Sequence, residues 1–325
     1  MQTRTILILT AAAALGIAQD SHDHAKSLVL EMQRRTADGN LPGVRELVPA
    51  AEQEIRRLGL AHPNAASLVN QVAILEQVLG NYAAAERIYA SAIKRLEEID
   101  PEGLSLAMLL LNLARTHLEA ADGPSHAYAL GQRALTLTTR HFGSNSSIIG
   151  MCYNTLGVAL SQQGEYRQAQ RLFERALLLS HDGSELDKYQ VAVNSLNLGA
   201  LELRDAKWQI ASRHLNDGVR LQTEIYGPMA SSLIRPLLSL ARLHIKRKEW
   251  IPANESAAKA RAIAGAQLGE NHPIRAEILA ISVEIARKTG HRAEAREREL
   301  ELRALLPSKR NPTVHVTDLA REARK

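Results

Sequence analysis

The chain has 325 residues, 45% of them hydrophobic and 23% charged, and a formal net charge of +5. That balance excludes disorder for most of the chain, and with only two Phe, two Trp and seven Tyr the apolar mass is Ala, Leu and Ile, which is the composition of close-packed helices rather than of sandwiches or barrels. The lone Cys152 excludes an internal disulfide, a cysteine-based zinc site and a disulfide-stapled scaffold, whereas a sequence pI near 9.4 raises the question of an acidic partner.

In chain order, the first segment is Arg4 in a short polar stretch, an apolar run from Ile6 to Ile17, and small residues at Gly16 and Ala18. Residues 1–18 therefore read as a secretory signal cleaved after Ala18. The run is too short to span a bilayer, and no cysteine follows it to carry a lipid anchor. The expected destination is periplasmic or extracellular. No later stretch reaches the ~20 uninterrupted apolar residues of a transmembrane helix. His22-Asp23-His24 is the densest histidine cluster, but two imidazoles and one carboxylate without further ligands at matching spacing read as solvated residues at a helix start.

From there to residue 306 the chain repeats with a period of 42. Stepping by 42 gives Gly43, Ala85, Ala127, Ala169, Ala211, Ala253 and Ala295, and seven residues on, Ala50, Ala92, Ala134, Ala176, Gly218, Ala260 and Leu302. Two small-residue columns two helical turns apart on one face mark where a neighbouring helix approaches closely. Three residues before the first column stand Tyr82, Tyr166, Trp208 and Trp250, a column broken by Asn40, Pro124 and Arg292. Gly80, Gly164 and Gly290 precede that position by two, where a tight interhelical turn needs a permissive backbone. Leu156-Gly157, Leu198-Gly199 and Leu240-Ala241 recur upstream within an apolar helix. Phe142-Gly143, Tyr226-Gly227 and Leu268-Gly269 recur downstream, and His62-Pro63 and His272-Pro273 open the next helices in phase. Each unit reads as helix A, a turn, helix B and a connector. In one unit, helix A spans 148–163 and helix B spans 166–180, and the whole chain gives fourteen helices.

Leu156-Gly157, Gly164-Glu165-Tyr166, Ala169 and Ala176 together resemble the tetratricopeptide repeat. The 42-residue period, Asn112-Leu113-Ala114, Asn197-Leu198-Gly199 and the Gly-x-x-His-Pro connector from Gly59 to Pro63 resemble its kinesin-light-chain-like subtype. The resemblance covers about residues 22–306. It implies an all-α, right-handed α-solenoid of about seven stacked helix pairs, with the A helices lining a concave groove that binds protein. Groove-facing positions carried over from the family are Asn70, Gln71, Asn112, Arg115, Asn154, Asn197, Arg204, Arg235, Arg242 and Lys246. Amides can pair with the backbone of an extended peptide whatever its side chains, and arginines can grip carboxylates, so the expected ligand is a protein or extended peptide with an acid-preferring C-terminal half. The alternative for these residues is an ordinary solvated polar face. The Lys/Asn carboxylate clamp of chaperone-binding relatives is not visible.

Other chemistries have less support. There is no His-Glu-x-x-His, Gly-x-Ser-x-Gly or phosphate-loop motif, so neither catalysis nor a cofactor or metal site is expected. Cys152 lies in an apolar helix and reads as a small core residue. The charge is unevenly placed: Arg4 holds one of the five net charges and residues 307–325 hold three, which leaves +1 on 19–306, too little for a phosphate binder. Nucleic acid is therefore not the expected partner, and the 307–325 tail reads as a basic, flexible, solubilising end. A second functional reading is a structural repeat protein that self-associates through its atypical terminal units in an envelope assembly.

Overall fold

A computed structural model describes residues 24–120, 123–180, 183–270 and 272–305. Residues 1–18, for which an export signal is expected, His22-Asp23, His181-Asp182 and residues 307–325 lie outside the described residues. Fourteen α-helices fill the described chain as seven A/B pairs: α1 (His24–Ala37), α2 (Leu41–Leu58), α3 (Pro63–Val78), α4 (Tyr82–Ile99), α5 (Leu104–Ala120), α6 (Pro124–Phe142) and α7 (Ser147–Gln162). They continue as α8 (Tyr166–Leu178), α9 (Glu185–Arg204), α10 (Trp208–Tyr226), α11 (Ile234–Lys246), α12 (Trp250–Gln267), α13 (Ile274–Lys288) and α14 (Arg292–Leu305). A single 3₁₀ turn, Ser231–Leu233, leads into α11.

The repeat column that predicted close helix contacts is buried in every unit: Gly43, Ala85, Ala127, Ala169, Ala211, Ala253 and Ala295 all lie inside. The second column is buried in the five inner units and half-buried at Ala50 and Leu302, in the two terminal units that have a neighbour on one side only. The Leu-Gly pairs have a specific geometric cause. A Cβ on Gly157 would stand 2.5 Å from the Phe173 ring of α8, and one on Gly199 would stand 2.8 Å from Leu215 of α10, so in these two units helix A presses backbone-first against a large side chain of its own helix B. Tyr82, Tyr166, Trp208 and Trp250 are each the first residue of a B helix. The residues that break that column still start helices: Pro124 is the first residue of α6, and Asn40 caps α2 by accepting a hydrogen bond from the Gly43 N–H.

The turns between A and B need a left-handed residue. Gly80, Gly164 and Gly290 supply it at φ of 86°, 86° and 82°. In the fifth and sixth units the same position is filled by Ala206 and Lys248, at φ of 59° and 61°. An L-residue there is strained by about 1–2 kcal/mol, partly offset because glycine has more backbone freedom to lose. Ala206→Gly and Lys248→Gly are each expected to stabilise the protein by about 0.5–1 kcal/mol, read as a rise in the urea midpoint.

Each A helix packs against the A helices before and after it, and each B helix is wedged between its own A helix and the next one. The A helices therefore sit at the smaller radius and line the inside of the curve. That curve is tight enough to close on itself. The Gly269 N–H, after α12, donates to the Val78 carbonyl at the end of α3 at 3.1 Å. Tyr82 Oη, at the start of α4, lies 3.2 Å from His272 Nε2, with the two rings edge-on at 6.0 Å. Gly39, in the turn after α1, faces the Ala266 carbonyl so closely that a Cβ would lie 2.6 Å from it. The A/B turn of the first unit thus rests on the end of α12, and that of the second unit on the connector between α12 and α13.

Candidate functional site: the inner face of the superhelix

Asn70, Asn112 and Asn154 recur at the 42-residue step on α3, α5 and α7, and the structure places them along the inward-lying A helices. Asn70 is 2% exposed; its Oδ1 accepts from the Tyr89 hydroxyl at 2.6 Å, while its Nδ2 has no partner among the described residues. Gln71 is buried with neither side-chain polar atom partnered, and Asn112 Nδ2 and Asn197 Nδ2 are likewise unpartnered. Asn154 Nδ2 donates to Asn194 Oδ1 at 2.9 Å. Most of the predicted amide series therefore has hydrogen-bonding capacity that the fold itself leaves unused, which is costly for a buried group.

The cationic end behaves differently. Arg235 and Arg242, both exposed on α11, share Glu277 of α13 as ion-pair partner, so an internal carboxylate already offsets part of their charge. Lys246 is exposed and has no ion pair among the described residues. Arg204 ends α9 stacked over the Tyr166 ring at 3.4 Å and paired with Asp205 at 2.9 Å, which holds it at the A/B edge. Arg115 is half-buried on α5 and makes no hydrogen bond or ion pair among the described residues.

Around these residues lies a polar array that the sequence reading did not single out as functional. Tyr189, then Glu119, Tyr89 and Tyr226, raise the pKa of Arg115 against the opposing effect of burial; the tyrosines do so only as phenolates, so near neutral pH Glu119 is the one of the four that carries charge. Burial pushes the Tyr82 phenol up to about 12, with Glu119 adding to the rise and Arg235 opposing it, and burial likewise raises Tyr89. Side chains from the second, third, fifth and sixth units thus influence one another across the inner face. Tyr82 had a sequence signal, its place in the aromatic column, but one that marks a turn; Tyr189 and Glu119 had none. Cys152 is buried, with its thiol pushed up to about 12 by desolvation, as suits an inert core residue. Among the described residues no group of three His, Cys, Asp or Glu side chains is arranged to hold a metal, and no helix is long and apolar enough to cross a membrane.

His272 couples this face to pH. Its Nδ1 accepts the Ile274 N–H at 3.2 Å, which leaves Nε2 to carry the proton and donate to Tyr82 Oη. Burial, then Arg235 and Arg275, lower its pKa from 6.5 to about 4. Between those two values the unfolded chain holds the proton that the folded chain refuses, so the neutral-His272 contribution to stability is complete above pH 6.5 and lost progressively as pH falls towards 4. His272→Asn, which can still cap the helix but does not titrate, is expected to lose less stability than the parent between pH 7 and pH 5, as read by urea unfolding at both pH values.

Residues 150–181 match the family model of the tetratricopeptide repeat. A comparison with curated proteins finds no match. Among solved structures, the chain is similar to a Rap protein crystallised in complex with competence and sporulation factor: 14% identical, covering 96% of this chain and 91% of that one, TM-score 0.62. It is also similar to a chain of the APC/C hetero-tetramer Cut9–Hcn1, at 15% identity and TM-score 0.60, covering 94% of this chain but only half of that one. A third similar structure is BtubC (BKLC) from P. vanneervenii, at 17% identity and TM-score 0.52, covering 73% of this chain and 97% of that one. At these identities the likeness concerns the fold. It agrees with the buried small-residue columns, the left-handed A/B turns and the inward A helices: this chain is an all-α solenoid of tetratricopeptide-like repeats.

Proposed function

We propose that the protein is an interaction scaffold that holds an extended stretch of another polypeptide along the inner face of its A helices. The observation that carries this reading is the row of amides on the A helices, Asn70, Gln71, Asn112 and Asn197, each of which keeps at least one side-chain polar atom without an internal partner. A peptide backbone offers N–H and C=O groups at regular spacing and would satisfy them without regard to sequence. The Rap protein of similar fold, crystallised in complex with competence and sporulation factor, supports the idea that a superhelix of this shape can hold a partner. Arg235, Arg242 and Lys246 give the C-terminal half a preference for acidic residues, tempered by Glu277. We assign it no catalytic step. Residues 1–18 act in this proposal as an export signal, so the partner is met in the periplasm or outside the cell.

Crosslinking in the native compartment followed by mass spectrometry tests the proposal. Crosslinks from a partner are expected on α3, α5, α7, α9 and α11. The triple change Arg235→Glu, Arg242→Glu and Lys246→Glu is expected to weaken capture of that partner at least tenfold. Crosslinks confined to the B helices, or undiminished capture by the triple variant, would overturn the groove reading. Crosslinks only between copies of this chain would favour the self-associating alternative.

A further inference from the structure

The five residues that run from the last position of each A helix to the first of its B helix divide the chain in two. In the first four units they are Ala37–Leu41, Val78–Tyr82, Ala120–Pro124 and Gln162–Tyr166, and none of these contains Lys or Arg. In the last three units they are Arg204–Trp208, Lys246–Trp250 and Lys288–Arg292, and together these hold seven Lys and Arg against Asp205 and Glu249 alone. All seven cations are exposed. Asp205 pairs with Arg204 and Lys207, and Glu249 with Arg247, while Lys246, Lys248, Lys288 and Arg292 have no ion pair among the described residues. The near-neutral total over residues 19–306 conceals this cluster, because the offsetting acids lie elsewhere.

The same turns carry apolar side chains into solvent. Ile251, the second residue of α12, is 76% exposed, and Trp208 and Ile210, at the start of α10, are 40% and 39% exposed. Trp208 and Trp250 are the two tryptophans of the chain, and they open the B helices of consecutive units. Equivalent positions of successive units project from one edge of the superhelix, so the indoles, Ile251 and the cations share that edge. There the turns of the first and second units are seated on α12 and the connector after it, whereas those of the fifth to seventh units are open to solvent. Lys248 stands at the tip of its turn at φ 61°, where the second, fourth and seventh units have glycine.

Exposed indole and aliphatic side chains rimmed by unpaired cations match the layering of a bilayer with acidic headgroups. Indoles settle at the boundary between headgroups and acyl chains, an exposed isoleucine enters the apolar side of that boundary, and each lysine or arginine near the surface adds attraction to the acidic headgroups. A nucleic-acid strand would engage the cations but offers Ile251 and Ile210 no apolar phase to enter.

We propose that the A/B turns of the fifth to seventh units form a docking ledge for the surface of an anionic membrane, with Ile251 and the two tryptophans entering the interface and the unpaired lysines and Arg292 meeting the phosphates. The ledge lies on the edge of the superhelix rather than on the A helices' inner face, so it stands or falls independently of the groove.

Intrinsic fluorescence of the full chain tests the ledge without a label, since both tryptophans lie on it. Vesicles of equal parts phosphatidylglycerol and phosphatidylcholine are expected to give a saturable blue shift, with quenching by lipids brominated on their acyl chains. Vesicles of phosphatidylcholine alone are expected to give neither, and about 0.5 M salt should weaken the anionic binding at least tenfold. Ile251→Ser should need at least threefold more lipid for half-saturation, and Lys248→Gln combined with Lys288→Gln at least tenfold more. Leu178→Ser, at a position 80% exposed at the far end of a B helix, should change nothing. No blue shift with the mixed vesicles, a shift without quenching by brominated chains, or a loss in Leu178→Ser equal to that in Ile251→Ser overturns the ledge. Tighter binding to single-stranded DNA than to the mixed vesicles, at matched phosphate concentration, also overturns it and gives the cations to nucleic acid.

Discussion

Truncation of Phe173 to alanine is expected to cost about 3–5 kcal/mol, a loss large enough to lower the urea midpoint of the whole chain. Phe173 is 1% exposed and packs with Leu160, Ala169, Leu198 and Leu201, so it joins α8 to both the A helix of its own unit and that of the next. Its ring lies where the Cβ of any residue other than glycine would sit at 157, at 2.5 Å from the ideal position. Gly157→Ala is therefore expected to destabilise by about 1–3 kcal/mol through overpacking. The two changes should not add: with Phe173→Leu in the background, the smaller side chain makes room and the cost of Gly157→Ala should shrink by about 1 kcal/mol or more. A double-mutant cycle in urea measures that coupling. Additive losses would show that the two residues do not share the space assigned to them.

Gly39→Val is expected to spring the superhelix open. Its Cβ would come 2.6 Å from the Ala266 carbonyl, a backbone atom that has no rotamer by which to withdraw. Valine also meets the left-handed strain of φ +72° at that turn. Gly59→Val separates the two effects, because Gly59 has φ +78° but nothing within 4 Å of its Cβ position. Both variants should lose about 1–2 kcal/mol to backbone strain. Only Gly39→Val should raise the radius of gyration in small-angle scattering and abolish an engineered crosslink between the turn after α1 and the end of α12. An unchanged radius for Gly39→Val would mean that the first and sixth units do not bear on each other in solution.

The local architecture was legible because a repeat prints its packing constraint many times over. Ala85, Ala127 and Ala169 are each unremarkable alone, but at a fixed step of 42 they can only be a buried seam. The start of four of the seven B helices could likewise be read from Tyr82, Tyr166, Trp208 and Trp250. Two features were not legible, for physical reasons. The contact of Tyr82 with His272 joins residues 190 positions apart, set by superhelical pitch, a sum of small rotations that no single unit encodes. The pairing state of the arginines was hidden as well. Arg235, Arg242 and Arg115 look alike in sequence, and only the placement of Glu277 on the following A helix makes the first two partnered while leaving Arg115 bare. The inner amides were legible as a series, but their unused capacity became visible only once every neighbour had been placed.

In an open solenoid each unit feels only its neighbours, so the ends fray first and stability accumulates link by link. The seat of the first two units on the end of α12 and the α12–α13 connector adds a long-range link to that chain, through Gly39 against Ala266, the Gly269–Val78 hydrogen bond and the Tyr82–His272 pair. The N-terminal units are therefore clasped from the far side, and their amides should exchange hydrogen at rates nearer those of the middle units than of the last. The same link acquires a place in time during synthesis: it cannot form until the sixth unit has left the ribosome, so the first units must wait, folded but unfastened, for most of the chain to follow them.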